Sequence, residues 1–252
     1  MNFKIDKVKI KIFNDGRALG KASAMDTAEK IKHLLNEKSE IRMVFAAAPS
    51  QNEFLDELIQ IKGIKWNRIT AFHMDEYIGL EENAGQLFTK YLKDRIFNKV
   101  DFKEVNLIEP ENNPEEEVKR YETLLKEKPI DIVCMGIGEN GHIAFNDPPV
   151  ADFDDTHLVK IVELDETCRK QQVNDGCFSL MEDVPKRAIT LTVPALMAGN
   201  YLSIVVPGIR KANAVYNALY NEISTECPAS IVRRHGNATM YLDKDSSLKL
   251  FI

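Results

Sequence analysis

Short apolar runs alternate with longer amphipathic stretches from one end of the chain to the other. The pattern predicts strands at 8–13, 41–48, 69–74, 132–135, 201–206 and 239–242, and helices at about 17–35, 53–61, 87–96, 114–126, 211–220 and 228–233. A shorter strand is predicted at 107–108, whereas 148–178 has no clear pattern. Strands that interleave with helices are typical of a mostly parallel sheet covered on both faces. The sequence therefore predicts an α/β fold.

Length and composition are those of an ordinary globular protein. The chain has 252 residues, of which 44% are hydrophobic, enough for one α/β domain with a large core. We expect a single domain over 1–252, in which the polar region at about 148–178 is a candidate lid over a pocket.

Charge and cysteine usage exclude several classes of protein. A net charge of −6 without a broad basic patch argues against nucleic-acid binding. The first twenty residues lack an apolar signal-peptide core, and no apolar run is long enough to span a membrane. Four scattered cysteines form no C-x-x-C pair, so neither a zinc site nor a disulfide framework is expected. A cytoplasmic location fits these features best.

The most informative segment is 131–149, where an apolar strand opens into a glycine-rich loop that carries His142 and Asp147. The imidazole could move a proton, and Asp147 could orient it through a hydrogen bond. Asn140 and Asn146 flank the histidine and can bond to sugar hydroxyls. The loop is not a dinucleotide fingerprint, because His142 follows the glycines where a long helix should begin. A histidine with only a structural role is the alternative.

A second predicted strand ends in two adjacent carboxylates, Asp75 and Glu76. If the backbone stays extended, their side chains point to opposite sides, so that only one faces a shared pocket. A partly buried carboxylate with a raised pKa could take a proton from a carbon next to a carbonyl group. The alternative is a helix cap or a salt bridge.

Two strand-to-helix turns are candidate anion sites. The first, at 206–211, combines a glycine turn with Arg210 and Lys211 at the start of a helix. The second follows Ala48 and contains Ser50 and Gln51. Either turn could bind a phosphate group, and either could also be an ordinary connection.

Three motifs together resemble the glucosamine-6-phosphate deaminase (isomerase) family, which is part of the 6-phosphogluconolactonase superfamily. They are Phe-His-Met-Asp-Glu-Tyr at 72–77, Gly-Ile-Gly-Glu-Asn-Gly-His-Ile-Ala-Phe-Asn at 136–146 and Ala-Ile-Thr-Leu-Thr at 188–192, and the likeness extends over about 13–246. The lactonase pattern lacks the Met-Asp-Glu-Tyr segment, which favours the deaminase branch. The resemblance implies a modified Rossmann-like three-layer sandwich with a mostly parallel central sheet.

The resemblance also implies a reaction and roles for individual residues. The enzyme would open the ring of a phosphorylated amino sugar, isomerise the aldose to a ketose and release ammonia, with no cofactor and no metal. Asp75 matches the base that moves a proton between C1 and C2, His142 the ring-opening acid/base, and Lys211 a phosphate-binding lysine. The turn from Ala48 to Gln51 matches the phosphate loop in position. We also count Glu76, Gly141 and Asn146 among the substrate contacts.

The chain departs from the family pattern at several positions. Asn140 replaces the usual aspartate, and Asp147 the usual glutamate. The relay around His142 therefore has one negative charge fewer and one shorter side chain. Ala-Ala-Pro-Ser replaces a glycine-rich phosphate loop, and Gly176 stands where a lid arginine is expected. We expect Arg169 or Arg210 to supply the missing cation. A phosphogluconolactone hydrolase and a non-catalytic sugar-phosphate sensor remain alternatives, and a homo-oligomer is left open.

Overall fold

Eleven strands and seven α-helices follow one another in a computed structural model, which describes residues 1–111 and 113–251. The strands are β1 (Asn2–Ile5), β2 (Val8–Phe13), β3 (Ile41–Phe45), β4 (Ile69–His73), β5 (Asp75–Ile78), β6 (Glu104–Asn106), β7 (Ile132–Met135), β8 (Val159–Glu163), β9 (Arg187–Leu191), β10 (Tyr201–Val206) and β11 (Ala238–Asp243). The α-helices are α1 (Gly16–Glu37), α2 (Asn52–Leu58), α3 (Phe88–Leu92), α4 (Pro114–Lys126), α5 (Glu166–Asn174), α6 (Val193–Met197) and α7 (Ala212–Tyr220).

Eight of the strands form one sheet, in the order β1-β2-β11-β10-β7-β3-β4-β6. All neighbouring pairs are parallel apart from β1 and β2, which pair antiparallel. The chain runs outward from β3 through β4 to β6, returns to β7 beside β3, and then runs outward on the other side through β10 and β11. Ligands of open α/β sheets bind at such a reversal, outside the carboxyl ends of the strands.

Helices cover both faces of this sheet and divide the core into two clusters. Apolar side chains of α1, α2 and α3 pack on one face, and those of α4, α6 and α7 pack on the other. All five residues of β3 are buried, as expected for a strand with helices on both sides. The predicted three-layer α/β sandwich with a mostly parallel central sheet is confirmed.

A small antiparallel sheet, β5-β9-β8, lies beside the carboxyl ends of the large one. The chain leaves the large sheet at Met74, between β4 and β5, and Asp75 then pairs with Thr190 of β9. This change of sheet positions Asp75 at the edge where the parallel strands end.

Two expectations about local structure are wrong. The strand predicted at 107–108 lies at Glu104–Asn106, because the pairing with β4 places it three residues earlier. The region 148–178 is not irregular, since it contains β8 and α5, whose polar side chains hide the usual pattern. Its role as a lid stays a prediction. Within the described residues, the helices include none with the length and apolar character needed to cross a membrane.

Candidate active site

A cavity opens at the carboxyl ends of β3, β7 and β10, beside the start of β5. Its walls include Ser50, Asp75, His142 and Lys211, and it contains about 620 Å³ of empty space, its open mouth included. The cavity lies at the reversal of strand order and brings a carboxyl group, an imidazole and an ammonium group to one place.

The glycine-rich loop after β7 sets the position of His142. A Cβ atom on Gly138 would lie 2.2 Å from the imidazole, so a larger residue there would displace the ring. Gly141 has a φ of 88°, a conformation that side chains resist. Its carbonyl accepts a 2.8 Å hydrogen bond from the N–H of Ala229, which fixes the turn to the body of the protein.

His142, Asp147 and Asn140 form a buried polar relay. Nδ1 of His142 lies 2.9 Å from Oδ1 of Asp147, at hydrogen-bond length but without good alignment. The Asn140 amide donates to the same Oδ1 at 2.8 Å, and its own oxygen accepts from the His142 backbone N–H at 3.0 Å. An amide can make both contacts, whereas an ionised carboxylate could only accept. Asn140 can therefore donate to Asp147, which an ionised aspartate at position 140 could not do.

Neighbouring groups favour the ionised form of the Asp147 carboxyl. Burial raises the pKa of this carboxyl, but the positive form of His142 and the nearby donor groups of His142, Asn140 and Cys168 together outweigh burial and bring the pKa below its ordinary value. An ionised Asp147 stabilises a protonated imidazole, as an acid/base histidine requires.

Asp75 and Glu76 face opposite sides of β5, as the alternation of a strand requires. Asp75 lines the cavity, while both oxygens of Glu76 accept backbone N–H bonds, including those of Phe88 and Thr89 at the start of α3. Burial, and then the charge of Glu76, raises the pKa of Asp75 well above its usual value. Burial also raises the pKa of Glu76 to about 7, against its hydrogen bonds. Asp75 thus has the properties of a base, and Glu76 those of a helix cap.

The cationic end of the cavity has two basic residues with different surroundings. Lys211 is 7% exposed and lines the cavity, and within residues 1–111 and 113–251 no carboxylate lies within 4.0 Å of its ammonium group. Burial lowers its pKa, although Asp175 and Glu139 oppose that effect. Nη2 of Arg210 lies 2.5 Å from Oδ1 of Asp175, and Nε of Arg210 lies 3.4 Å from Oε1 of Glu139. Lys211 is therefore free for an anion, whereas Arg210 is already paired.

Ala48 and Ser50 line the cavity as well, but other expected contacts do not. Gln51 donates to Ser50 Oγ and to the carbonyl of Val205 behind the turn. Asn146 is fully buried and donates to the carbonyls of Ile143 and Leu191, so it fastens the loop. Glu76 and Gly141 are likewise held by backbone contacts outside the cavity wall.

Arg169 is bonded to backbone carbonyls of the segment that follows α5. Its guanidinium donates to the carbonyl of Met181 at 2.6 Å and to that of Val184 at 2.9 Å. These bonds tie the backbone at Met181 and Val184 to α5. A phosphate role for Arg169 stays a prediction, and these bonds to backbone carbonyls argue against it.

Several cavity residues were missed by reasoning from the sequence. Gln171, Gln172, Asp175 and Cys177 reach the wall from α5 and the turn after it, where no pattern marked them. Phe145 forms part of an apolar wall and stacks on Phe88 with ring centroids 5.6 Å apart. Phe145 lies inside the histidine motif, so its position was available from the sequence, although its contact with Phe88 was not.

Comparison with known proteins places this architecture in a family. The sequence model of the glucosamine-6-phosphate isomerases/6-phosphogluconolactonases matches residues 14–241. A glucosamine-6-phosphate deaminase of Exiguobacterium sibiricum is 35% identical over 180 residues, which cover 71% of this chain and 69% of the relative. The chain belongs to this family. The resemblance inferred from the three motifs is thereby confirmed.

Solved structures of the glucosamine-6-phosphate isomerase/6-phosphogluconolactonase family share the fold over almost the whole chain. A monomeric glucosamine-6-phosphate deaminase superposes with a TM-score of 0.86 at 27% identity, covering 95% of this chain and 98% of the other. A 6-phosphogluconolactonase from Thermotoga maritima gives a TM-score of 0.77 at 21% identity, covering 93% and 99%. The lactonase likeness is one of fold alone.

Proposed function

We propose that this protein is a glucosamine-6-phosphate deaminase, which converts glucosamine 6-phosphate and water into fructose 6-phosphate and ammonia. One observation carries the proposal: a carboxyl group with a raised pKa, Asp75, and an imidazole backed by a carboxylate, His142 with Asp147, line the same cavity. An aldose–ketose isomerisation needs a base at carbon and a proton carrier at oxygen, and these two groups provide them.

Ring opening is assigned to His142. Its Nδ1 faces Asp147, so Nε2 is the nitrogen available to exchange a proton with the ring oxygen. Asp147 stabilises the protonated ring, and Asn140 holds Asp147 in place at 2.8 Å. The imidazole is thus held in one orientation before the sugar binds, which lowers the cost of reaching the reactive geometry.

Proton transfer between C2 and C1 is assigned to Asp75. Its carboxylate takes the C2 proton of the open-chain aldehyde and returns a proton to C1. O1 gains the proton that the substrate ammonium group gives up, which leaves a hydroxyl at C1 and an imine at C2. Water hydrolyses the imine to the ketone and releases ammonia. Burial makes Asp75 a stronger base than an exposed aspartate. The ammonium group of the substrate favours the ionised carboxylate as it binds.

Phosphate binding is assigned to Lys211 and to the hydroxyl of Ser50. Both groups line the cavity, and Lys211 is almost completely buried. A phosphate would provide the counter-charge that the buried ammonium needs. Arg210 can contribute only if it exchanges Asp175 and Glu139 for the ligand.

The sequence relatives favour deamination over lactone hydrolysis. The deaminase from Exiguobacterium sibiricum is 35% identical, whereas the lactonase from Thermotoga maritima is 21% identical. The Asp75-Glu76 pair lies within the Met-Asp-Glu-Tyr motif, whose presence resembles the deaminase branch. A cytoplasmic location stays a prediction, supported by four free cysteines of which three are buried. The homo-oligomer also stays a prediction.

Ammonia release from glucosamine 6-phosphate by the purified protein tests the proposal. We expect turnover that depends on Asp75 and His142. A clean preparation that hydrolyses 6-phosphogluconolactone, releases no ammonia and keeps its lactonase activity after Asp75→Asn would assign it to the lactonase branch. Binding of the amino sugar phosphate without any turnover would identify a sensor.

A further inference from the structure

The buried relay contains two polar atoms that lack well-aligned hydrogen-bond partners. They are Nδ1 of His142 and Oδ2 of Asp147, in side chains that are nine-tenths or more buried. The Asn140 amide donates to the other oxygen of Asp147 and accepts from the backbone N–H of His142, so it leaves both atoms unsatisfied. Buried unsatisfied groups are uncommon and often mark a ligand site.

The thiol of Cys168 lies beside these two atoms. Cys168 belongs to α5 and is fully buried. One ligand atom each from His142, Asp147 and Cys168 lies within 4.8 Å of the others. The three residues come from two separate segments, the loop after β7 and α5, which the fold brings together.

We propose that His142, Asp147 and Cys168 form a binding site for a thiophilic divalent cation of the Zn²⁺ class. An imidazole nitrogen, a carboxylate oxygen and a sulfur are the ligand types that Zn²⁺ and Cd²⁺ accept, whereas Mg²⁺ and Ca²⁺ prefer oxygen ligands. Three protein ligands leave a fourth position open, as in zinc sites that retain a bound water. His142 also lines the cavity, which connects the site to solvent.

Binding replaces protons by the cation. The thiol gives up its proton to solvent as the sulfur–metal bond forms, and no electron is transferred. Burial, together with Asp147, raises the pKa of Cys168, so the free protein holds a neutral thiol and the cation itself drives ionisation. Nδ1 of His142 uses its lone pair for the cation, and the ring proton then resides on Nε2.

The consequence for turnover rests on the proposed function. With the cation on Nδ1, the imidazole of His142 cannot pass through the protonated state that ring opening requires. Asp147 would also lose its role, because its charge would neutralise the cation. The site therefore makes the enzyme sensitive to thiophilic metals while leaving it indifferent to Mg²⁺.

Cadmium titration of the full-length protein tests the site without using activity. A Cd²⁺–thiolate bond gives an ultraviolet charge-transfer band, which we expect to saturate at one cation per chain. Cys168→Ser, which keeps size and a hydrogen-bond donor, should lose the band. Cys177→Ser is the matched control, since Cys177 lines the cavity without joining the cluster, and its band should be unchanged. Mg²⁺ in excess should not compete.

Two results would overturn the site: no band in the wild type, or a band of equal strength after Cys168→Ser. If Cys168→Ser fails to fold, Asp147→Asn gives a second test, because it keeps the thiol and removes one ligand, so the Cd²⁺ affinity should fall at least about tenfold. The two proposals fail separately. A Cd²⁺ band in a protein that never releases ammonia would leave the metal site standing and remove the deaminase assignment.

Discussion

The two ends of the cavity are built in different ways. At the relay end, the polar contacts of His142 come from one short loop, in which Asn140, His142 and Asp147 lie within eight residues of sequence. At the cationic end, Arg210 pairs with Asp175, from the turn after α5, and with Glu139, from the glycine-rich loop. A local motif sets the first end, and the packing of distant segments sets the second.

Charge also differs between the ends. The relay has one carboxylate for one imidazole, and both are buried. The cationic end has two cations and two carboxylates, so little net positive charge is left for a phosphate. We therefore expect substitutions in the chemical machinery to change turnover strongly, and substitutions around Arg210 to change substrate affinity only modestly.

The largest effect is expected for Asp75→Asn. Removal of the base should lower kcat for ammonia release by about 10³-fold, within the range found for acid/base residues. The matched control is Glu76→Gln, which has the adjacent side chain on the opposite side of β5. It should keep kcat within about tenfold, because it caps α3 and does not touch the cavity. Equal losses in the two variants would contradict the separation of roles.

Asp147→Asn should give the next largest effect. The imidazole would lose the charge that stabilises its protonated form, and kcat should fall by about 10²-fold. Asn140→Asp is the companion variant, since it removes the donor to Asp147 and places a second carboxylate beside it. Stopped-flow or steady-state assays of ammonia release would measure both. Unchanged kcat in Asp147→Asn would show that the relay does not act in ring opening.

At the cationic end, Lys211→Ala should raise KM about tenfold or more with a smaller change in kcat, because it removes a buried ammonium group that lines the phosphate site. Arg169→Ala is the control. Its guanidinium holds the backbone of Met181 and Val184, so we expect a lower Tm and an unchanged KM. An increase in KM for Arg169→Ala would support it as a phosphate ligand.

The charge of Glu76 should shift the acid limb of the pH profile of kcat/KM. Asp75 must be ionised to act, and its pKa is raised, so kcat/KM should fall as pH decreases through that raised value. The charge of Glu76 is the second cause of the shift. In Glu76→Gln the limb should therefore move to lower pH, by less than about one unit. A shift to higher pH would contradict the assignment of this limb to Asp75.

The smallest effect is expected for Asp175→Asn, which releases Arg210 from its 2.5 Å partner. Pairs this exposed contribute at most about 1 kcal/mol, so KM should fall only a few-fold as Arg210 becomes available to phosphate. Asp175→Asn combined with Arg210→Ala should remove the gain. A KM that rises in the single variant would show that the ion pair itself shapes the site.

Sequence reasoning succeeded where information is local. The strand at 201–206 and the helix at Pro114–Lys126, with proline in its first turn and three glutamates behind it, were placed correctly. The opposite directions of Asp75 and Glu76 followed from strand alternation alone. The relay motif was local too, and its three side chains do meet.

What the sequence did not indicate depends on distant packing. The small sheet of β5, β8 and β9 forms only because segments far apart in the chain pair with each other. The polar helix α5 has little apolar periodicity, so neither its helical form nor its cavity residues could be anticipated. Arg169 resembled a free cation because nothing local marks the backbone carbonyls that it binds.

A crystal structure of the Asp75→Asn variant with glucosamine 6-phosphate tests the central claim most directly. We expect C2 of the sugar to lie within about 3.5 Å of the side chain at position 75. It also places the ring oxygen in reach of His142 and the phosphate on Lys211. A sugar bound with C2 away from position 75, or with its phosphate far from Lys211, would contradict it.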